Sequence, residues 1–507
     1  MGDFFMKTNV PVLRLTVDRF IALAQPDSRM SLPPATVGAI NKGAKAVEAI
    51  VRNKVPVYGV NTGIGDLCDV YLSGDKLAEL QENIIMSHAC GGEPYFADDV
   101  ARGALFLVVN ARAKGYSGIT VGAIQKLIAL FDHGVAPLLP MQGSLGASGD
   151  LIPLAHLALP LLGKGDVRVN GKRISAASVL RKLGITHTLL PKEALSLING
   201  TEVTTSQAAF AVYGAERFLA GSVRATAALF EIFGARTSSI DADIHALKPH
   251  PGQVAVARDL RKYLRGSALV DRPKAKAQDP YVIRCTPQVD GAILGEIMRT
   301  KTTVEIELNS VTDNPLFFVK GGKVKALSGG NFHAQALAFA LDGLAIALTA
   351  GSKVIERRVE RLLNSSLSGL PPFLIFESGT NTGLMIPHYL IAALVAENSV
   401  LAHPASIQTL PVSANQEDFV SMAMTSATKA AQILRNCERI LAIELLLVAQ
   451  AMDIMIEQKA VKLSSFSASA RGIKETVRRS VQTLKKDRLV SKDIDAILSH
   501  LRNGDFL

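Results

Sequence analysis

Apolar residues recur along most of this chain at the three- and four-residue spacing of a helix with one buried face, and only rarely in strict alternation. Helical patterns run through 12–55, where Ser31-Leu32-Pro33-Pro34 reads as a helix entry and 44–51 as an apolar-periodic run. They continue through 100–110 and 121–131, along a long region from Leu195 to Ile232, and again through 334–349, 352–364 and 388–400. The greasiest segment, 440–456, is interrupted by Glu444, Gln450 and Asp453, which predicts a buried core helix rather than a membrane span. Alternation is confined to two short hairpins. One is 166–174, turned by Asn170-Gly171; the other is set around Lys320-Gly321-Gly322-Lys323. No repeat, low-complexity tract or clear linker breaks the pattern, so the helices from about residue 120 onward are expected to form one continuous body.

Composition narrows the picture. A chain of 507 residues can bury a large core, and its length allows about two to four domains. Apolar residues at 48% and charged residues at 20% exclude wholesale disorder. Trp is absent and aromatics are 5%, while Ala and Leu abound, which favours helix on helix over a β-sandwich. The net charge of +10 raises the question of nucleic acid. The basic residues are spread out, however, and the densest group (Arg478, Arg479, Lys485, Lys486, Arg488) lies in an amphipathic stretch mixed with acids, as a solvated face does.

Four cysteines (Cys68, Cys90, Cys285, Cys437) without CxxC spacing predict a reducing, cytoplasmic setting. Met1-Gly2-Asp3-Phe4-Phe5-Met6 has no signal layout, and Met6 stands where a myristoylation motif needs Ser or Thr. His245 and His250 lack metal-ligand context, and no metal site is expected.

The stretch with the most chemistry is Gly143-Ser144-Leu145-Gly146-Ala147-Ser148-Gly149-Asp150, between Ala136-Pro137-Leu138-Leu139-Pro140 and Leu151-Ile152-Pro153-Leu154. One reading is a tight connection between helices, with glycines supplying positive φ. The other is covalent. If the amide nitrogen of Gly149 attacks the carbonyl carbon of Ala147, the tripeptide closes into a five-membered ring. Loss of two waters, one from closure and one from Ser148, then leaves an exocyclic methylene. Glycine suits the nucleophilic position because no Cβ obstructs it. The product is an electrophile that ordinary side chains lack, a cofactor made from the chain itself.

Further candidates are scattered. Tyr58, in Val57-Tyr58-Gly59-Val60-Asn61-Thr62-Gly63-Ile64-Gly65-Asp66, is either a packed ring in a turn or a base, and as a base near neutrality it would need cationic neighbours. His88, where a helix runs out into Gly91-Gly92, is either a solvated helix-end residue or a pocket residue. Asn199 is either a cap or an amide directed into a site. Gln278, Tyr281 and Arg284 share a proline-bounded loop, and Arg284 offers bidentate recognition of a carboxylate. Phe332 opens a helix as core or pocket wall. Glu417, in Ser413-Ala414-Asn415-Gln416-Glu417-Asp418, reads either as part of an acidic helix start or as a group facing substrate.

Taken together these segments resemble, in order, the motifs of the aromatic amino acid ammonia-lyases: Tyr58-Gly59-x-Asn61-Thr62-Gly63, the Ala147-Ser148-Gly149 stretch, Ile198-Asn199-Gly200-Thr201, Gln278-Asp279-Pro280-Tyr281-x-x-Arg284, Gly329-Gly330-Asn331-Phe332-His333-Ala334 and Asn415-Gln416-Glu417-Asp418. Ser87-His88, Glu417, His403-Pro404-Ala405-Ser406 and Gly369-Leu370-Pro371-Pro372-Phe373-Leu374 are similar to the histidine-acting branch. The chain departs from the pattern at Ile64, where Phe is usual, at 66–71, at Cys90-Gly91-Gly92-Glu93, and at Phe419, where histidine is frequent.

The resemblance implies a mainly α fold, a long-helix bundle with a fumarase/aspartase-like superhelical core, with a smaller N-terminal domain over 1–115 and a helical-bundle domain over 116–507. It implies 4-methylidene-imidazol-5-one (MIO) formed from Ala147, Ser148 and Gly149, with no external cofactor. Tyr58, Tyr281 and Glu417 join the tripeptide as catalytic residues, and His88, Asn199, Gln278, Arg284 and Phe332 as substrate-binding ones. The implied reaction is ammonia elimination from L-histidine to trans-urocanate in a homotetramer with shared sites, without nucleic acid or membrane partners. The alternatives are a tyrosine or phenylalanine lyase, an MIO aminomutase and, further off, a non-catalytic basic helical binding protein.

Overall fold

The computed structural model describes residues 6–74, 76–186, 188–273 and 277–507; of the segment read for targeting signals, residues 1–5 lie outside them. The helix foreseen after Ser31-Leu32-Pro33 begins at Pro34 and runs to Arg52. Proline at the first helical position gives up no hydrogen bond and already holds the required φ. Four longer helices follow: Glu202–Phe233, Thr286–Leu308, Gln335–Leu363 and Ala423–Glu457. The mainly α architecture expected from the apolar periodicity is the one found.

Strands are short. Asp166–Val169 and Lys172–Ser175 pair antiparallel through Asn170 (φ 51) and Gly171 (φ 73), the two positive φ values a two-residue turn of this hand needs. Val135–Pro137 adds a third strand beside them. Leu316–Lys320 and Lys323–Leu327 form the second hairpin, through Gly321 and Gly322. A parallel pair, Met6–Asn9 with Ser28–Ser31, has no counterpart in the sequence reading. Four residues a side are too few for alternation to show.

Contacts divide the chain into two units. The first comprises Met1–Tyr213, Thr300–Asp342 and Pro404–Thr428, and it contains the whole 1–115 segment. Its core includes the almost wholly buried helix Asp98–Arg112, where the rings of Phe20, Phe106 and Phe131 meet at 6.1 to 6.4 Å between centroids. Arg102 lies 4.3 Å over the Phe131 ring and donates to the carbonyls of Ala24, Gln25 and Phe131.

The second unit comprises Gly214–Arg299, Gly343–His403 and Lys429–Leu507. Here the polar interruptions of 440–456 find their reason. Glu444 accepts two bonds from the buried Arg358 at 2.7 and 3.0 Å, Gln450 bonds to Leu374 and Leu484, and Asp453 pairs with Lys474 and Arg478. Among the described residues one helix, Gln335–Leu363, is long and apolar enough to cross a membrane, and 67% of its most apolar window is buried in protein.

Candidate active site

The Tyr58 loop is held from below by apolar packing and from within by its own polar residues. Val60 is buried in a cluster with Ala46, Val47, Ile50 and Phe317, and Val57 packs against it. Asn61 closes the loop: its Oδ1 accepts from Val57 N–H at 2.9 Å and its Nδ2 donates to the Val55 carbonyl at 2.9 Å. Thr62 Oγ1 accepts from Gly59 N–H. The Asn-Thr pair is therefore loop-building, and it presents Tyr58 to a cavity of about 580 Å³.

The same cavity is lined by His88, Ser148, Asn199, Phe332 and Glu417, which lie far apart in sequence, and all of it belongs to the first unit. His88 ends the helix Lys76–His88, and its Nδ1 lies 2.7 Å from the Ile84 carbonyl and 3.1 Å from Ser87 Oγ. A carbonyl only accepts, so Nδ1 carries a proton, and in the neutral ring Nε2 is then the acceptor.

Glu417 is not in a helical turn. Ser413, Ala414 and Asn415 all take positive φ (51, 52 and 67), and the next helix starts only at Ala423. Successive left-handed residues cannot continue a right-handed helix, so the carboxylate is free of a capping role. Its Oε1 accepts from Ser148 Oγ at 2.9 Å.

Around the tripeptide the backbone is tightly specified. Ser148 has φ 50, a conformation that costs a non-glycine residue on the order of 1–2 kcal/mol. Gly149 N–H donates to the Gly146 carbonyl at 3.3 Å, folding the chain back on itself. A Cβ on Gly149 would sit 2.1 Å from the Gly200 carbonyl oxygen, so only glycine fits. Gly200 clamps both flanks: its carbonyl accepts from Asp150 N–H at 2.7 Å, and its N–H donates to the Ser148 carbonyl at 3.4 Å. The helices Leu151–Ala158, Glu202–Phe233 and Ala423–Glu457 all begin beside this turn, and their partial positive ends favour negative charge there.

Sequence reasoning passed over three residues. Asp150 is buried, with one oxygen taking the Thr204 hydroxyl at 2.6 Å and the other the Thr204 N–H at 2.7 Å. Burial pushes its carboxyl up to about 7; the Thr204 bonds oppose this and the Glu202 charge adds to it. Asn314 lines the cavity, and its carbonyl accepts from Asn199 Nδ2 at 3.1 Å. The buried Lys192 holds that carbonyl from the other side at 3.2 Å while pairing with Asp313 at 3.0 Å. Nothing local marks Lys192 or Asn314, because each acts through a partner more than a hundred positions away.

Among the described residues Tyr58 does not meet the cations that a phenolic base needs. Its hydroxyl accepts from Gly65 N–H at 3.2 Å, but burial foremost, and then Glu417, raise its pKa above the ordinary phenol value. Gln278, Tyr281 and Arg284 belong to the second unit, and none lines this cavity. Tyr281 is 71% exposed, Arg284 lies 4.5 Å over its ring, and the buried Arg284 Nε has no partner among the described residues. Of the departures, Ile64 lines the cavity, whereas Phe419 is exposed and stacks on His333.

Fold and cavity together match a known class of enzyme. The chain belongs to the aromatic amino acid lyase family, whose model matches residues 15–479. It is thus a carbon–nitrogen lyase, and the family it belongs to is the MIO-dependent one.

Among its relatives, the histidine ammonia-lyase of Symbiobacterium thermophilum is 43% identical over 496 residues, spanning 97% of this chain and 96% of that one. The crystal structure of histidine ammonia-lyase from Trypanosoma cruzi is similar with a TM-score of 0.90 at 39% identity, covering 98% of this chain and 94% of that one. Tyrosine aminomutase from Streptomyces globisporus gives 0.93 at 35% identity, over 99% and 98% of the two chains.

Proposed function

We propose that this protein eliminates ammonia from L-histidine without oxidation, giving trans-urocanate. The observation that carries the reading is the meeting of two acceptors, His88 Nε2 and the Glu417 carboxylate, in one cavity with Ser148. A substrate imidazole N–H would satisfy one of them, and the protonated ring, with two N–H groups, would satisfy both. A phenyl ring seated there would shield both from water and leave them unpaired, at about 1–3 kcal/mol for each group.

The tripeptide fits the prosthetic group proposed for it. Gly149 has no space for a side chain, Ser148 is held left-handed with its hydroxyl on a carboxylate, and the buried Asn199 Oδ1 has no partner among the described residues. Ala147, Ser148 and Gly149 would form MIO with no external cofactor, and its methylene would supply an electrophile that turns the amine into a better leaving group.

The chain's own residues do the rest. Tyr58 takes the β-proton as general base. Asn199 and Phe332 shape the surroundings of the tripeptide, and His88 and Glu417 hold the imidazole. Arg284 grips the α-carboxylate, and Tyr281 and Gln278 complete the site. In this reading a homotetramer with shared sites, acting in the cytoplasm, brings these three residues from a neighbouring subunit. Arg284 then supplies the cation that lowers the Tyr58 phenol.

The test is to incubate purified protein with L-histidine, L-tyrosine and L-phenylalanine in turn and follow the ultraviolet absorption of each product. Urocanate is expected to form fastest. Faster coumarate or cinnamate, or a β-amino acid from tyrosine as an aminomutase would make, overturns the substrate.

A further inference from the structure

Behind the cavity wall lies a charged pair that the proposed reaction does not use. Arg112, the last residue of the helix Asp98–Arg112, is fully buried. Its guanidinium spends every arm on one short segment. Nε donates to the Ser196 carbonyl at 2.8 Å, Nη2 to the Asn199 carbonyl at 2.9 Å, and Nη1 pairs with Glu202. Ser196 and Asn199 close the helix Glu193–Ile198, and Glu202 opens the helix Glu202–Phe233. One planar group therefore staples the end of one helix to the start of the next, across Asn199-Gly200-Thr201.

That link is the wall of the site. Asn199 turns its side chain to the cavity, and Gly200 grips Ser148 and Asp150 on both sides of the tripeptide's last residue. Side-chain contacts hold the link as well, Asn199 Nδ2 to the Asn314 carbonyl at 3.1 Å and the Thr201 hydroxyl to Glu307 at 2.7 Å, while Gly200 sits at φ 149, which only glycine adopts readily, and a Cβ there would meet Glu202 Oε2 at 2.4 Å. Glu202 is steadied in turn by the Thr312 hydroxyl at 2.9 Å.

We infer that Arg112, with Glu202 as its counter-ion, is a positioning residue of the lyase: it sets the height and tilt of Asn199-Gly200 and thereby the geometry of the Ala147-Ser148-Gly149 turn. It touches neither substrate nor the reacting atoms. Its effect passes through two backbone carbonyls, and a guanidinium is required because three acceptors must be met in one plane. An ammonium in its place keeps the charge opposite Glu202 but not that planar fork. The inference rests on the functional reading above, on histidine as substrate for its kinetic readout and on MIO formation for its mass readout.

The experiment compares the full-length parent with Arg112→Lys and Glu202→Asp. The second variant keeps both charges and shortens the arm that seats the guanidinium, so it stands if the first does not fold. Intact mass gives the fraction of chains that have lost two waters. Steady-state rates with histidine, per dehydrated chain, give kcat and KM separately, and thermal melting reports the fold. The expected result is incomplete water loss in Arg112→Lys and a kcat per dehydrated chain at least tenfold below the parent. For Glu202→Asp a fall of about fivefold is expected. A role in folding alone lowers melting and yield but leaves kcat and KM of the surviving dehydrated chains unchanged. Full water loss with kcat reduced less than threefold in every variant that folds overturns the inference. If the parent itself releases no urocanate, the functional reading falls, and the mass comparison alone judges Arg112: complete water loss in the variants then overturns it.

Discussion

Among the described residues each unit buries one arginine completely, and the two are used for different ends. In the second unit Arg358 faces side chains: both oxygens of Glu444, the Ser222 hydroxyl at 2.9 Å and Asp290 at 3.9 Å. Those partners come from separate helices, so the charge cluster ties helix to helix. In the first unit Arg112 spends two of its three contacts on carbonyls beside the catalytic wall. The same buried chemistry is scaffolding in one place and alignment in the other. Burial and pairing do not distinguish them; the kind of acceptor does, since a carbonyl bond fixes main chain and a carboxylate bond fixes a side-chain tip.

The sharpest way to break this contrast starts at the tripeptide. Ser148→Ala should lower turnover on the order of a thousandfold or more, as loss of a residue that carries a covalent step does. Its melting temperature should stay close to the parent's, and wild-type-like activity would end the covalent reading. Next comes the scaffold: Arg358→Met leaves Glu444 buried and unpaired, at about 3–5 kcal/mol of stability. Denaturant unfolding should register that loss while kcat per folded chain is unchanged. A kcat effect there would erase the distinction between the two arginines.

A smaller effect is expected at His88→Ala, which removes one acceptor for the imidazole. The kcat/KM for histidine should drop about tenfold to a hundredfold, with KM carrying most of it and water loss intact. The smallest concerns pH. Burial raises the Asp290 carboxyl to about 6 from an ordinary 3.8, with Arg358 opposing the rise and Glu444 adding to it. A raised carboxyl pKa means the folded state favours the neutral acid. Its contribution to stability is therefore full below the ordinary value and is lost as pH rises through about 6. Melting of the parent should decline across that window, and Asp290→Asn should flatten the decline by a few degrees. An unchanged slope would mean that Asp290 is ionised in the fold.

Much of the fold was legible because its determinants are local. Pro34 sets a helix start, Asn170-Gly171 a turn, and the periodicity of 440–456 a buried helix, each from residues that touch their near neighbours. The parallel pair Met6–Asn9 with Ser28–Ser31 escaped notice because its pairing is non-local and its strands are four residues long. The site was legible in outline through its motif residues, but not in its supports. Arg112 looks like the polar end of an apolar helix, and Thr204 like any residue in a long one. Their importance lies in contacts 54 to 90 positions away. Glu417 was equally compatible with a helix start until three left-handed residues ruled that out.

The sequence by itself determined the helical class and the turn chemistry, because propensity and periodicity act within a few residues. It also singled out a tripeptide whose residue types suit the proposed cyclisation, since glycine leaves the attacking nitrogen unobstructed and serine carries the hydroxyl that would leave. Only the tertiary structure decided which groups surround that tripeptide. The convergence of Tyr58, His88, Asn199 and Glu417 on Ser148, and the clamp of Gly200 and Arg112 behind them, are long-range contacts. Such contacts form when packing of the whole unit brings remote segments together, and no window of neighbouring residues encodes them.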